Sequence, residues 1–555
     1  MRVYEVLADI IEKLGFKHVY TIPGTHIYHL NHGLTKKNIK NIVFRHEMGT
    51  TIAADAYGRL TGRPGLAIDT AGPGILNGLT GLGQAFSEAS PLIYITGETR
   101  LDEYFGFHGV DLPLYTAKSS SPVSKATHIQ MTTRNVSKTF ERLYNLSVNG
   151  RRGPVHLALP YNILQGESQD VEGIDADVKT YYGEMPKDIA SLIESRYKEK
   201  KVLFILGPEV YVEDRLTIKM FLEGKPFLTT TSMTGYLPQN LDGYLGFIEK
   251  NFQVYPPAKE VIKEVDIALM MGIDYRSPEV DLLRRINPSI EVDSIQYSWI
   301  YRVDDIWRIP SEEWTIKKHR HGYAFRGDIL KFLEVLSTTD TRNVKVDAHS
   351  LRSRRYVEAY ETISKEESKY VHQGRLAYLI SKIDIDGYVV TCDTGGNEQW
   401  IREFLAPHRE VRYLYSGGFG AIGYSLPASI GAYMAVPETG YKGVLSIVGD
   451  GSLMMSIQEL KTIVEYNMDI KIIVFNDSTY GILEMLSIRD IGSRIDGRIG
   501  SVNFSKIAEG VGMDTIRVDR EEDIEDILEN LLKSRGPILV DVLSSPDEVP
   551  TLLRR

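Results

Sequence analysis

GDGSLMMSIQELKTIVEYNMDIKIIVFNDSTYG, residues 449 to 481, is the stretch whose reading decides the fold. An apolar strand, Leu445 to Val448, runs into a tight glycine turn; an amphipathic helix and a second apolar strand, Ile470 to Phe475, follow. Each strand is followed by a carboxylate, Asp450 after the first and Asp477 after the second. In an open α/β sheet, ligands collect at the carboxyl ends of adjacent strands. Two acidic groups there, beside turns that offer bare backbone N–H groups, suit a hard divalent cation carrying a diphosphate. Mg²⁺ takes most of its ligands from phosphate and water, which fits so sparse a set. A GDG triplet alone reads as an ordinary turn; the paired strands and the Asn476-Asp477 terminus favour the ligand reading.

The same strand–helix rhythm extends along the chain. From residue 1 to 166 the strands are HVYTI, NIVF, GLAIDT, PLIYITG and PVHLALP; from 188 to 337 they are KVLFILG, PFLTTT, DIALMMG and SIEVDSI. From 365 to 545 they are GYVVTCD, LSIVGD, IKIIVFN and PILVDVL. Alternation of this kind predicts three α/β domains, each with a mainly parallel sheet flanked by helices. Gln165 to Lys187 reads as a linker and Thr338 to Lys369 as another ending in a helix, with the basic clusters Lys317 to Arg320 and Arg352 to Arg355 as solvated linker surface. No short tandem repeat is found.

At 555 residues, 43% hydrophobic and 25% charged, the composition is that of a soluble globular protein of about three domains. A formal net charge of −10 argues against nucleic-acid affinity. No apolar run reaches membrane-spanning length, and the start MRVYEVLADIIEKLGF is amphipathic and acidic, unlike a signal peptide. A cytoplasmic protein without membrane association is expected. The single cysteine, Cys392, excludes an intrachain disulfide and reads as a packing residue in its apolar strand.

Several other segments carry chemistry. The strand NIVFRHE ends at Glu47, and the small-residue helix TTIAADAYGRLTG follows. A carboxylate at a helix N-terminus gains from the dipole, so capping and a catalytic role are equally open from the local sequence. TAGPGILN, residues 70 to 77, is a glycine-proline turn entering a helix; IPGTHIYHL, residues 22 to 30, is a second such turn. DTGGNEQW, residues 393 to 400, and the glycine-dense SGGFGAIGYSLPASIGA, residues 416 to 432, imply close backbone approach to a ligand or a neighbouring helix.

In this order and over nearly the whole length, these segments resemble the thiamine-diphosphate-dependent enzyme superfamily, of the acetolactate synthase, pyruvate oxidase and 2-oxoacid decarboxylase type. The resemblance implies an N-terminal pyrimidine-binding domain, a central Rossmann-like domain and a C-terminal diphosphate-binding domain. It implies that Asp450 and Asp477 bind Mg²⁺ by side chain and Thr479 by its carbonyl. Glu47 would hydrogen-bond N1′ of the cofactor's aminopyrimidine. Gly72, Pro73 and Asn77 would pack against that ring, and Gly24 would lie over the thiazolium. Gly395, Gly396, Asn397, Gly451 and Ser452 would offer donors to the diphosphate. Gly420 would supply a carbonyl to the 4′-amino group, and Ile422 the apolar wedge under the bent cofactor, with Ile482 also at the cofactor. His26 and His108 are candidates for acid–base work on a bound carbonyl.

This chain departs from the family's pattern at four points. Asp477 stands where Asn is usual, and Thr25-His26 where the synthases carry Gly-Ala. Leu486 falls where the synthases carry the Trp that selects a second substrate. Asp274 falls where flavin-bearing relatives carry an arginine, so FAD binding is not expected. The implied activity is decarboxylation of a small 2-oxoacid with carboligation, acetolactate synthase-like; the alternative is a 2-oxoacid decarboxylase or C–C lyase releasing an aldehyde. A synthase would belong to branched-chain amino acid biosynthesis. A homodimer or homotetramer with sites at the interface is implied, and a regulatory subunit is left open.

Overall fold

A computed structural model describes the chain except residues 104, 105, 110–114, 169, 171–183, 250–252, 298–300, 304, 305, 309–313, 406 and 555. Two compact units emerge: Met1–Tyr181 with Trp299–Pro310 and Ile430–Thr439, and Tyr182–Ser298 with Ser311–Ser429 and Gly440–Arg555. Three large sheets, mainly parallel and flanked by helices, carry the expected α/β architecture.

The first unit holds a six-stranded sheet of β1 (His18–Thr21), β2 (Lys40–Val43), β3 (Gly65–Asp69), β4 (Leu92–Glu98), β5 (Ala126–Ile129) and β6 (Pro154–Pro160). All pairs are parallel, in the order β2-β1-β3-β4-β6-β5. β3, β4 and β6 are buried throughout, as a parallel sheet covered on both faces requires. The helix Glu47–Thr61 is buried on nearly every side because its residues are small. A Cβ on Gly65 would lie 2.1 Å from the Ala54 carbonyl oxygen, and one on Gly81, in the helix Pro73–Ser87, 2.1 Å from Thr51 Oγ1.

The second unit contains two sheets. One has eight strands: β7 (Val202–Leu206), β8 (Phe227–Thr230), β9 (Tyr244–Glu249), β10 (Gln253–Val254), β11 (Ile267–Met271), β12 (Glu291–Gln296), β15 (Thr315–His319) and β16 (Gly322–Arg326); the intervening ribbon of β13 (Tyr301–Val303) and β14 (Ile306–Arg308) belongs to the first unit. Its order is β10-β9-β8-β7-β11-β12-β16-β15, parallel except for the antiparallel edge strands β10 and β15. The other comprises β17 (Val389–Cys392), β18 (Arg412–Tyr415), β19 (Val444–Gly449), β20 (Ile470–Asn476), β21 (Asp514–Val518) and β22 (Ile538–Leu543), all parallel in the order β18-β17-β19-β20-β22-β21. Numbered within its own sheet, that order is identical to the order of the first sheet.

Within this unit a buried network joins the two sheets. Arg402, fully buried in the helix Gly396–Phe404, pairs with Glu249 at the end of β9 and with Glu398 one turn back. Arg412 donates to the carbonyls of Ser232 and Thr234 at 3.2 and 3.1 Å.

Of the two basic clusters, the first is exposed as expected but lies on a strand rather than in a linker, and in the second Arg352 is drawn inward while Arg354 stays exposed. Lys317 to His319 lie on the edge strand β15. Arg352, on the helix Ala348–Ile363, is buried and donates to the Gln239 carbonyl at 2.8 Å and to that of Tyr244, with its guanidinium over the Tyr244 ring. Arg355 grips Glu403 through two 2.9 Å bonds. Local composition suggested exposure because nothing nearby in sequence supplies these acceptors. Most of the expected linker from Gln165 to Lys187 lies outside the described residues. Cys392 is buried, as its apolar strand predicts. Among the described residues no helix is long and apolar enough to cross a membrane.

The close approach at Gly65 gives a direct test. Gly65→Ala should destabilise the first unit by about 1–3 kcal/mol through overpacking against the Ala54 backbone. Gly510→Ala, where a Cβ would meet nothing within 4 Å, should leave the thermal unfolding profile unchanged or slightly raised.

Candidate active site

In the first unit the candidate residues gather at the carboxyl ends of β1 to β4. His46 caps the helix Glu47–Thr61, its Nδ1 accepting the Met48 N–H at 3.1 Å. The capping role that the sequence leaves open for Glu47 thus falls to its neighbour. The Glu47 carboxyl, half-buried in the first turn, instead accepts from Asn77 Nδ2 at 3.0 Å. Asn77 and Pro73 are exposed, so this contact lies at the unit's surface.

The turns after β1 and β3 pack closely, the Gly24 main chain against the Thr70 side chain. A Cβ on Gly24 would fall 2.4 Å from that of Thr70. Gly72 has φ +60°, and a Cβ there would lie 2.1 Å from the His108 carbonyl oxygen. These glycines are required because the β1–β3 junction is where the strand order reverses and where a ligand must approach the main chain. His26 is buried there, its ring edge-on to His108 at 5.4 Å and to Tyr161 at 5.8 Å, and stacked on Phe107 at 6.4 Å. Burial, with the nearby His108, lowers the His26 pKa, so the ring is neutral at pH 7. Thr25 Oγ1 lies 3.2 Å from its Nδ1. His26, His108 and Gly72 therefore form one cluster and Glu47 with Asn77 another. The two meet at the Gly72–Gly74 turn, where a Cβ on Gly74 would lie 3.7 Å from Glu47 Oε1.

In the second unit the equivalent junction lies between β17 and β19. Gly395 precedes the helix Gly396–Phe404, and a Cβ on it would fall 2.5 Å from Asn397 Oδ1. The buried Asn397 amide is turned inward, donating to the Asp393 carbonyl at 3.3 Å. Asp393, fully buried, accepts from the N–H groups of Gly423 and Ser425 at 2.9 and 2.8 Å and so shapes the glycine-dense loop. Burial pushes its pKa up to about 6. In that loop Gly420 has φ +70° with nothing within 4 Å of its Cβ position, and Ile422 is half-buried.

Asp450 follows β19 and Asp477 follows β20. Asp450 is 3% exposed and accepts from the N–H groups of Gly451 and Ser478 at 2.7 and 2.5 Å. The Gly451 N–H is thus occupied by its own neighbour, and Ser452 Oγ donates to the Thr394 carbonyl at 3.3 Å. Asp477 accepts from the Thr479 N–H at 3.0 Å and from Gln373 Nε2 at 2.9 Å. Neither aspartate makes an ion pair among the described residues. Burial raises the proton affinity of both; the charge of Asp477 adds to the rise at Asp450, and that of Glu484 to the rise at Asp477. The Thr479 hydroxyl is buried without a hydrogen-bond partner among the described residues. Ile482 is half-buried in the first turn of the helix Gly481–Ile491. A cleft of about 570 Å³ opens beside Asp477, Ser478 and Thr479, with Glu484 and Arg494 on its wall.

Two buried carboxylates short of positive charge are a donor set that a divalent cation would complete. Among the described residues no group of three or more His, Cys, Asp or Glu could hold a metal, so the remaining ligands must come from phosphate and water. The residues present fit a metal–diphosphate. Gln373 and Asp69 are site residues that the sequence reading missed. Gln373 reaches Asp477 from 104 positions away without a local signal. Asp69 did have one, a carboxylate closing an apolar strand, the same mark that singled out Asp450.

Comparison with known proteins agrees with this geometry. Residues 1–111 match the N-terminal TPP binding domain of thiamine pyrophosphate enzymes, and residues 393–542 the C-terminal TPP binding domain. The chain is 26% identical to a probable acetolactate synthase large subunit of Methanocaldococcus jannaschii, over 99% of this chain and 93% of that protein. It is 26% identical to the acetolactate synthase isozyme 1 large subunit of Escherichia coli, over 98% and 94%, and 25% identical to the acetolactate synthase of Bacillus subtilis, over 97% and 92%. This chain thus carries, in order, matches to both the N-terminal and the C-terminal TPP binding domain of thiamine pyrophosphate enzymes, each with strand-end turns where glycine lets the main chain be closely approached.

Proposed function

We propose that the chain is a thiamine-diphosphate- and Mg²⁺-dependent enzyme that decarboxylates a small 2-oxoacid and joins the remaining fragment to a second carbonyl compound, as an acetolactate synthase does. The observation that carries this reading is the buried Asp450–Asp477 pair, which no cation neutralises among the described residues. Similarity to acetolactate synthases over nearly the whole chain supports the substrate class. Bound thiamine diphosphate would supply the electron sink for breaking the bond next to a carbonyl.

The chain's own residues supply the rest. Asp450 and Asp477 hold the metal by their carboxylates and Thr479 by its carbonyl; the turns at Gly395, Gly396, Gly451 and Ser452 receive the diphosphate. Glu47, oriented by Asn77, holds a proton at N1′ of the aminopyrimidine. Gly24, Gly72, Pro73 and Gly420 bring main chain to the cofactor, and Ile422 and Ile482 exclude water. The neutral His26 offers a hydrogen bond rather than a charge to a bound carbonyl, with His108 beside it.

A release of aldehyde is the second reading, favoured by Leu486 in place of a bulky Trp in the helix Gly481–Ile491. FAD is not required: Asp274, at the end of β11, is held by Arg276 through two 2.8 Å bonds and would repel a flavin diphosphate. We further propose domains spanning 1–166, 188–337 and 365–545 and a homodimer or homotetramer. The E. coli relative is named as a large subunit, so a smaller partner of this chain is also open to test.

Glu47→Gln should retain the cofactor and cut kcat by about 10²–10⁴-fold; unchanged turnover would remove the proton role. Product analysis on a panel of 2-oxoacids with thiamine diphosphate and Mg²⁺ should give an acetohydroxyacid; aldehyde alone would select the second reading. The purified protein should lack flavin absorbance.

A pH dependence follows from the aspartate pair. Both folded-state pKa values lie above the unfolded value, so the pair's contribution to metal-free stability is complete at acid pH. It is lost as pH rises through neutrality to about 8. Mg²⁺ displaces those protons, so its affinity should rise over the same interval. Thermal unfolding in chelator should show the melting temperature falling with pH, and Mg²⁺ with cofactor should recover more of it at pH 8 than at pH 6.

A further inference from the structure

Gln373 opens the helix Gln373–Ile380 and is 1% exposed. Its main-chain N–H donates to Glu548 Oε2 at 2.6 Å, and the buried Glu548 also accepts from Ser368 Oγ at 2.6 Å. The side-chain nitrogen makes two bonds, to Asp477 Oδ2 at 2.9 Å and to the Ser545 carbonyl oxygen at 2.9 Å. Neighbouring main chain is stitched to the same corner. The Val371 N–H donates to the Leu543 carbonyl at 3.1 Å, and the Ser544 N–H to that of Asn476 at 2.9 Å. All of these groups lie in the second unit.

These bonds leave the amide one orientation. A main-chain carbonyl can only accept, so the contact with Ser545 puts the nitrogen, not the oxygen, at this corner. The second amide hydrogen goes to Asp477, whose other oxygen accepts from the Thr479 N–H at 3.0 Å. Neutral donors thus grip the carboxyl at both oxygens and leave lone pairs for a further ligand. The amide oxygen lies toward the Gly395–Gly396 turn, where a Cβ on Gly396 would be 3.8 Å from it. We infer that Gln373 is a positioning residue for the metal ligand Asp477, locked from behind by Ser545 and Glu548 of the segment after β22. Neutrality is part of the role. A lysine could also donate to Asp477, but its charge would take the cation's place beside two buried carboxyls. An uncharged amide fixes the carboxyl and leaves its charge for the metal, as hydrogen-bond partners behind metal ligands do.

The inference rests on the metal role proposed for Asp477, and metal affinity is its readout. Mn²⁺ uptake by the full chain with thiamine diphosphate, followed by electron paramagnetic resonance, reports that affinity without turnover. Gln373→Met keeps the length of the side chain and the main-chain bond to Glu548 but removes both donors. It should weaken Mn²⁺ binding by about 10–100-fold, with kcat recovering at saturating Mg²⁺. An unchanged affinity would overturn the positioning role even if the melting temperature fell, since a merely structural residue moves stability alone. Gln373→Lys should lower Mn²⁺ affinity at least as far, yet melt in chelator at or above the wild-type temperature. A Lys variant that binds Mn²⁺ as wild type does would also overturn the inference. Should the Met variant fail to fold, the Lys variant decides. Wild type that takes up no Mn²⁺ would remove the metal reading and this inference with it; wild-type uptake with unmoved variants removes this inference alone.

Discussion

A strand buried on both faces can do polar chemistry only where it ends, and the ends that matter here carry carboxyl groups that pair with no cation among the described residues. Asp69, Asp393, Asp450 and Asp477 each follow an apolar strand and are held by N–H groups and neutral polar side chains. Burying a carboxylate without positive charge is costly unless a proton or a metal shares the charge. Which of the two is taken at each position decides what that position does. Where N–H donors converge on a carboxyl from within the fold, as at Asp393, the group shapes a loop. Where two carboxyls stand side by side, as at Asp450 and Asp477, mutual repulsion makes a divalent ion the natural partner.

Much of this was legible in the residues. The three parallel sheets follow from apolar runs alternating with helical patterns, and the Asp450 and Asp477 turns from a carboxylate closing each strand. Glu47 was legible as a strand-end carboxylate entering a helix, but whether it caps that helix was not; the His46–Met48 bond shows that His46 takes the cap. Illegible features depended on distance along the chain. Arg352 and Arg355 looked solvated because their partners, Tyr244, Gln239 and Glu403, are far away in sequence. Gln373 reaches Asp477 for the same reason unannounced. A basic run is ambiguous until its acceptors are known, whereas an apolar strand carries its own reason to be buried.

Within the second unit the eight-stranded sheet has a structural task of its own. Arg402 lies in the helix that begins at the Gly395–Gly396 turn and is gripped from both sides, by Glu398 of its own helix and by Glu249 at the end of β9. Removing either acid would strand a buried guanidinium, so the ion cluster ties the orientation of that helix to the eight-stranded sheet. The geometry of the Gly395–Gly396 turn is thereby supported from the neighbouring sheet.

The shared winding of the first and third sheets gives one position two opposite destinies. In both, the third strand of the local order leaves on an aspartate, Asp69 at the end of β3 and Asp450 just past β19. One is roofed over by Thr50 and Ile22; the other is buried beside a second acid, Asp477, which itself lines an open cleft. Topology has set the address twice, and only the lid above it separates a buried prop from a mooring post. Reassigning such a post by redesign would therefore call for exchanging the covering side chains rather than rebuilding the sheet.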